Sequence, residues 1–239
     1  YEMTSSLVGS EMCIRDSASR YLSYDLENTK KVNKYYRVTK TTNGTTTTEV
    51  SEEEATNATK NTATRGASYT TTYKNIQISA TPTGTKNRYS IELTNLWLKS
   101  PYIKSYDVIA IRTDDATVLE GTQNGVQSYI YTNGSVGYVY YSNNGTNMVK
   151  ASNGFGISMN LVDAANTFEC DIEATVTATT EWATVYGSYQ HAATNVTLAQ
   201  SKSYTISHNG YGKVINFATA VQNDYDGMQG VSIALDYTA

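Results

Sequence analysis

Proline and cysteine are almost missing from this chain: two of each in 239 residues. With so little cysteine, the disulfide framework of a small secreted scaffold is excluded. Charge is also scarce. Asp, Glu, Lys and Arg make up 17% of the chain, against about 25% in an average soluble protein. The net charge of −4 leaves no basic excess for gripping a phosphate backbone. No apolar run of about 20 residues is present, so no membrane-spanning helix is expected. Leu, Ile, Val and Phe together number 43, just under the ~20% level at which disorder becomes a concern. That concern also requires high net charge, which this chain lacks. Thr (36 residues) and Tyr (21 residues) stand in for the missing types. Both favour the pleated, half-buried surface of a sheet.

Strand alternation is the main signal along the chain. In Thr167 to Ala178, one face carries Phe168, Cys170, Ile172, Ala174, Val176 and Ala178. The other carries Thr167, Glu169, Asp171, Glu173, Thr175 and Thr177. A period of two puts every apolar side chain inside and every carboxylate outside. Weaker runs follow the same rule at Ile76–Ala80, Tyr89–Leu93, Phe155–Leu161 and Val231–Tyr237. Asp107–Ile111 is short and apolar, as an interior strand should be. Val185–Tyr189, Val196–Leu198, Tyr204–Ile206 and Val214–Phe217 are further candidates. Short strands separated by Gly and Asn predict an all-β fold, an antiparallel β-sandwich of Ig-like or jelly-roll-like type with little helix. Tyr21–Val32 is read as one short helix and Asp163–Asn166 as a single turn. Residues 51–66, with Glu52, Glu53, Glu54 and no large apolar side chain, are read as a flexible loop within a single domain spanning 18–239.

The first seventeen residues differ in style. Residues 5–17, SSLVGSEMCIRDS, resemble a peptide translated from sequencing adapter that recurs at the ends of unrelated metagenomic reading frames. On that resemblance, residues 1–17 are excluded from fold reasoning, and Cys170 becomes the one cysteine to consider. Within the C-terminal third, the runs ATVYGSYQHA, SKSYTIS, GYGKVINF and YDGMQGVSI resemble secreted proteins of Gram-positive gut and soil bacteria. That likeness implies an extracellular, secreted or cell-surface, location and no particular activity.

Two Asn-Gly pairs mark tight hairpins. At Asn43-Gly44, a two-residue turn would set Thr41 opposite Thr46 and Thr39 opposite Thr48. At Asn133-Gly134, the same turn would set Tyr129 opposite Tyr138 and Tyr131 opposite Val136, with Tyr140 on that face. Tyr129, Tyr131, Tyr138 and Tyr140 would then form an aromatic platform suited to stacking on a sugar ring or a partner protein. The competing expectation is that these rings fill core edges in a chain short of Leu and Phe.

Catalytic patterns are sparse. His191 and His208 lie in neither a paired-cysteine nor an HExxH arrangement, so no zinc or other metal site is expected. Asn223-Asp224-Tyr225-Asp226-Gly227 looks like part of a calcium loop, but the bidentate Glu at its twelfth position is missing. It reads as an acidic turn before the last strand. Asp114-Asp115 and Asp171/Glu173 are the nearest local carboxylate pairs, the latter on a solvated strand face. Cys170 sits on an apolar face, where a free thiol behaves as a small hydrophobe. Five Asn-X-Ser/Thr matches, at Asn43, Asn57, Asn133, Asn144 and Asn195, are expected by chance in so Asn- and Thr-rich a chain. The expectation is therefore a non-enzymatic secreted or cell-surface domain, structural or adhesive, without cofactor. Glycans or host and cell-surface proteins are its expected partners, and nucleic acid is not. A carbohydrate-binding module using the tyrosine face is the alternative, and a secreted β pore-forming toxin is a weaker one. Lysine–asparagine cross-links of the kind that stiffen some Gram-positive adhesins are open, since sequence alone does not pair the residues.

Overall fold

The computed structural model describes residues 24–41, 44–60, 70–207, 214–227 and 229–239. The adapter-like segment 5–17, Asn43 and His208 lie outside the described residues. In chain order the elements are β1 (Lys30–Thr41), β2 (Gly44–Val50), α1 (Glu52–Lys60), β3 (Thr70–Pro82) and β4 (Arg88–Trp97). There follow β5 (Tyr106–Asp114), β6 (Ala116–Val118), β7 (Asn124–Tyr131), β8 (Val136–Tyr141), β9 (Met148–Ala151) and β10 (Gly154–Asn160). The chain continues through β11 (Ala165–Ala178), β12 (Thr184–Gln190), α2 (Leu198–Ser201), β13 (Tyr204–Ile206), β14 (Ile215–Phe217) and β15 (Gly230–Ala234).

The strands build an antiparallel sandwich. One sheet has the order β2-β1-β3-β4-β11-β7-β8, with β6 also on β11. The facing sheet has the order β15-β12-β5-β10-β9, and β13 pairs with β14 separately. Alternation decides what lies between the sheets. Ile76 and Ile78 of β3, Ile91 and Leu93 of β4, and Phe168, Ile172 and Val176 of β11 all point inward. They meet Ile109 and Ile111 of β5, Phe155 and Ile157 of β10, Val185 of β12 and Ile233 of β15. The apolar run in β5 is covered on both faces. Val108 and Ala110 join a second cluster with Ala192, Val196, Tyr204, Ile206, Ile215 and Tyr225. A strand buried on both sides shows a continuous apolar run instead of alternation, which is why β5 reads as interior.

Several local readings differ from the structure. The segment read as a loop at 51–66 begins with α1 (Glu52–Lys60). Ser51 Oγ accepts from the Glu54 backbone N–H at 3.1 Å, and three glutamates occupy the first turn, where the helix dipole favours them. The expected helix at Tyr21–Val32 is, within its described part, a 3₁₀ turn at Leu26–Asn28 followed by β1. The strand expected at Val196–Leu198 gives way to α2, because Thr197 and Gln200 cap it reciprocally. Of the turn expected at Asp163–Asn166, Asp163 and Ala164 form a turn and Ala165 and Asn166 already belong to β11, with the Ala165 N–H on the Val162 carbonyl at 3.0 Å. No helix among the described residues is long and apolar enough to cross a membrane.

Both hairpin registers also move. In the first hairpin Thr41 pairs with Gly44 and Thr39 with Thr46. This is a shift of two residues, which keeps each side chain on its expected face. In the second, Ser128 pairs with Tyr138, Tyr129 with Gly137 and Ile130 with Val136. The Gly134 N–H bonds the Tyr131 carbonyl and the Tyr131 N–H bonds the Ser135 carbonyl, both at 2.9 Å. The loop therefore has three residues, ending in Gly134 at φ +82°. A shift of one residue sends alternate side chains to opposite faces.

Candidate functional site

That one-residue shift divides the four tyrosines. Tyr129 and Tyr131 turn inward against the core and pack on each other edge to face, with ring centroids 5.3 Å apart. Gly137 opposite Tyr129 leaves room for the ring, since a Cβ there would lie 2.4 Å from it. Tyr138 and Tyr140 lie on the outer face, stacked with centroids 6.3 Å apart. Tyr140 is 70% exposed. The expected four-ring platform is corrected to two inner rings and an outer pair.

The outer face of the same sheet carries the carboxylates, which are less solvated than expected. Register places Glu173 opposite Glu92, and Asp171 opposite Thr94. Asp171 is only 7% exposed. Burial, reinforced by the charge of Glu92, pushes the Glu169 carboxyl up to about 7. Burial and then the neighbouring Glu169 charge push Asp171 up as well.

A second constellation lies between the sheets, at one end of the sandwich. Lys74 projects from the inner face of β3, in phase with Ile76 and Ile78. Its Nζ contacts Asp226 Oδ2 at 3.0 Å, with both side chains fully buried. The ammonium sits 5.3 Å from the Trp97 ring and 4.9 Å from the Tyr189 ring, within the range of a cation–π contact. Asp226 Oδ1 accepts the His191 backbone N–H at 2.8 Å. Beside it, His191 Nδ1 lies 2.9 Å from Asp107. A carboxylate only accepts, so Nδ1 carries the proton of that bond. Asp107 also accepts the Tyr189 hydroxyl at 2.5 Å and the Ala192 N–H at 2.9 Å. Trp97 Nε1 donates to the Tyr189 oxygen at 3.0 Å. Cys170 closes the group, its sulfur 3.8 Å from the same oxygen. Burial, followed by the Asp107 charge, pushes the Cys170 thiol up, the opposite of what a nucleophile needs.

Above this network opens a cleft of about 890 Å³. The β1–β2 hairpin contributes Lys40 and Thr45, β14 contributes Asn216 and Phe217, and the segment before β15 contributes Gln222, Asn223, Tyr225 and Asp226. Gln190, at the end of β12, lies on its floor. Gln190 Nε2 donates to the Asp226 carbonyl at 3.2 Å. Its Oε1 is buried with no hydrogen-bond partner among the described residues. Phe217 stacks on Tyr225 with centroids 4.1 Å apart, and Lys40 Nζ is held by the Ala193 carbonyl at 3.2 Å.

Of the residues singled out in the sequence, His191, Cys170 and Asp226 come together here. Asp226 is no solvated turn acid: it folds inward, while Asp224 accepts from Thr194 at 3.2 Å. Lys74, Asn95, Asp107 and Gln127 went unnoticed. Each sits in phase with an apolar row, and a polar residue at a core phase was the available signal.

No family model matches the chain, and no curated protein matches it. Among solved structures it is similar to the KRT10-binding region domain of the pneumococcal serine rich repeat protein PsrP, at 15% identity over 80% of this chain and 99% of that one, with a TM-score of 0.30. A β-sandwich superfamily carbohydrate-binding module shares 9% identity over 70% of this chain and 58% of its own, with a TM-score of 0.25. The enzymatically active domain of bacteriophage CBA120 tailspike protein 4 shares 10% over 64% of this chain, which spans 18% of the tailspike chain, with a TM-score of 0.25. Likenesses at this level bear on no activity.

Proposed function

We propose that this is a secreted or cell-surface β-sandwich domain that works by binding and not by catalysis, and that its cleft takes a glycan. The exposed amides of the cleft carry this reading. Asn216, Gln222 and Asn223 each offer donors and an acceptor in one plane, matching adjacent sugar hydroxyls. Phe217 adds an apolar ring for the C–H face of a sugar. The raised Cys170 thiol supports a role without nucleophilic catalysis.

A glycan array, followed by calorimetric titration of the best ligand, tests this. Asn216→Ala and Phe217→Ala should each weaken binding roughly tenfold, about 1.4 kcal/mol. The reading fails if the protein binds no glycan. It also fails if binding survives both changes and is lost on Tyr140→Ala, which would move the site to the outer tyrosine pair.

A further inference from the structure

Lys74 and Asp226 are 152 residues apart in sequence and meet at 3.0 Å with no side-chain exposure. Each charge pays a desolvation cost of several kcal/mol there. Neither partner is free to swing away. Lys74 is fixed in the middle of the large sheet, paired with Tyr36 on one side and Trp97 on the other. Asp226 is clasped by His191, whose carbonyl accepts the Asp226 N–H at 2.9 Å and whose N–H donates to Oδ1 at 2.8 Å. The components of an acyl transfer are thus in one place. A nitrogen nucleophile is held against a carboxyl group. A backbone N–H points at the oxygen that would take up negative charge. Aromatic rings and the second sheet keep water out.

From this geometry we propose that Lys74 and Asp226 condense to an internal amide, cross-linking β3 to the segment that enters β15. A proton crosses the contact from Nζ to Oδ2, leaving a neutral amine and a neutral acid. The Nζ lone pair adds to Cγ, and the negative charge moves to Oδ1 against the His191 N–H. The Cγ–Oδ2 bond then breaks, and Oδ2 departs as water with its own proton and one from Nζ. The Thr47 hydroxyl, 3.5 Å from Oδ2, lies beside the leaving oxygen. One amine and one carboxyl become one amide and one water, with no oxidant or reductant. The product is neutral and removes both buried charges. This inference stands apart from any ligand in the cleft.

The intact mass of the purified, folded protein tests it directly. The expected mass is short by one water against the expressed sequence. Tryptic digestion should then yield a branched peptide joining residues 66–86 to the segment beginning at Val214. Lys74→Arg keeps a cation at the site and should restore the full mass of its sequence. Because the decisive reading is made on the unaltered protein, it does not depend on the variant folding. A full-mass folded protein that is cleaved after Lys74, giving residues 66–74, 75–86 and the segment beginning at Val214 as three separate tryptic peptides, would overturn the proposal, as would a water loss mapped elsewhere in the chain.

Discussion

Along the inner face of β4, Tyr89, Ile91 and Leu93 give way to Asn95 and Trp97, and along β3 the row Ala80, Ile78, Ile76 ends in Lys74. β11 passes from Val176 and Ile172 to Cys170, opposite Asn95. One end of the sandwich is thus an apolar interior of ordinary kind. The other holds Lys74, Asp226, Asp107, His191, Tyr189 and Trp97 in a hydrogen-bonded network beneath an open cleft. Apolar packing is non-directional and tolerates substitution of similar volume. A buried polar network is satisfied only in one arrangement, and a half-satisfied one is worse than none. The contrast separates the part of the interior that drives folding from the part that fixes a particular geometry under the cleft.

Removing a partner from the polar end should have the largest effect. Lys74→Ala removes the proposed cross-link and leaves the Asp226 carboxylate buried without a cation, a loss of at least about 3–5 kcal/mol. Denaturant unfolding checks this, and a loss below about 1 kcal/mol would break the contrast. At the apolar end, Leu93→Ala should cost about 2–5 kcal/mol, with no change in the intact-mass behaviour of the chain.

Most of this apolar end was legible in the sequence, because a period of two states its own buried face. The carboxylate and apolar faces of β11 lie where alternation put them. The hairpin faces were harder. A dipeptide such as Asn133-Gly134 marks a turn but not its length, and one residue of difference moved Tyr138 and Tyr140 away from Tyr129 and Tyr131. The polar end was least legible. Lys74 and Asp226 meet only through the stacking of two sheets, and no local spacing encodes a contact across 152 residues.

The outer face offers a smaller test. Glu169 is held at about 7, above the ordinary value of 4.5, so the folded chain binds this proton more tightly than the unfolded one. Its stabilising contribution is full below about 4.5 and is lost as pH rises through about 7. Melting temperature should fall across that window, and Glu169→Gln should flatten the fall. A profile that rises there, unchanged in the variant, would contradict the burial of these carboxyls. The smallest effect belongs to Tyr140, whose ring is 70% exposed. Tyr140→Ala should change stability by no more than about 0.5 kcal/mol, and a larger loss would show the outer pair to be packing.

The division between folding and binding is tested most directly at the rim of the cleft, where Asn223 is exposed. Calorimetric titration of a glycan into the unaltered protein and into Asn223→Ala, with melting curves of both, makes that measurement. Affinity should fall roughly tenfold while the two melting curves coincide. Equal affinity in the two proteins, or a fall in affinity matched by a fall in melting temperature, would contradict the account.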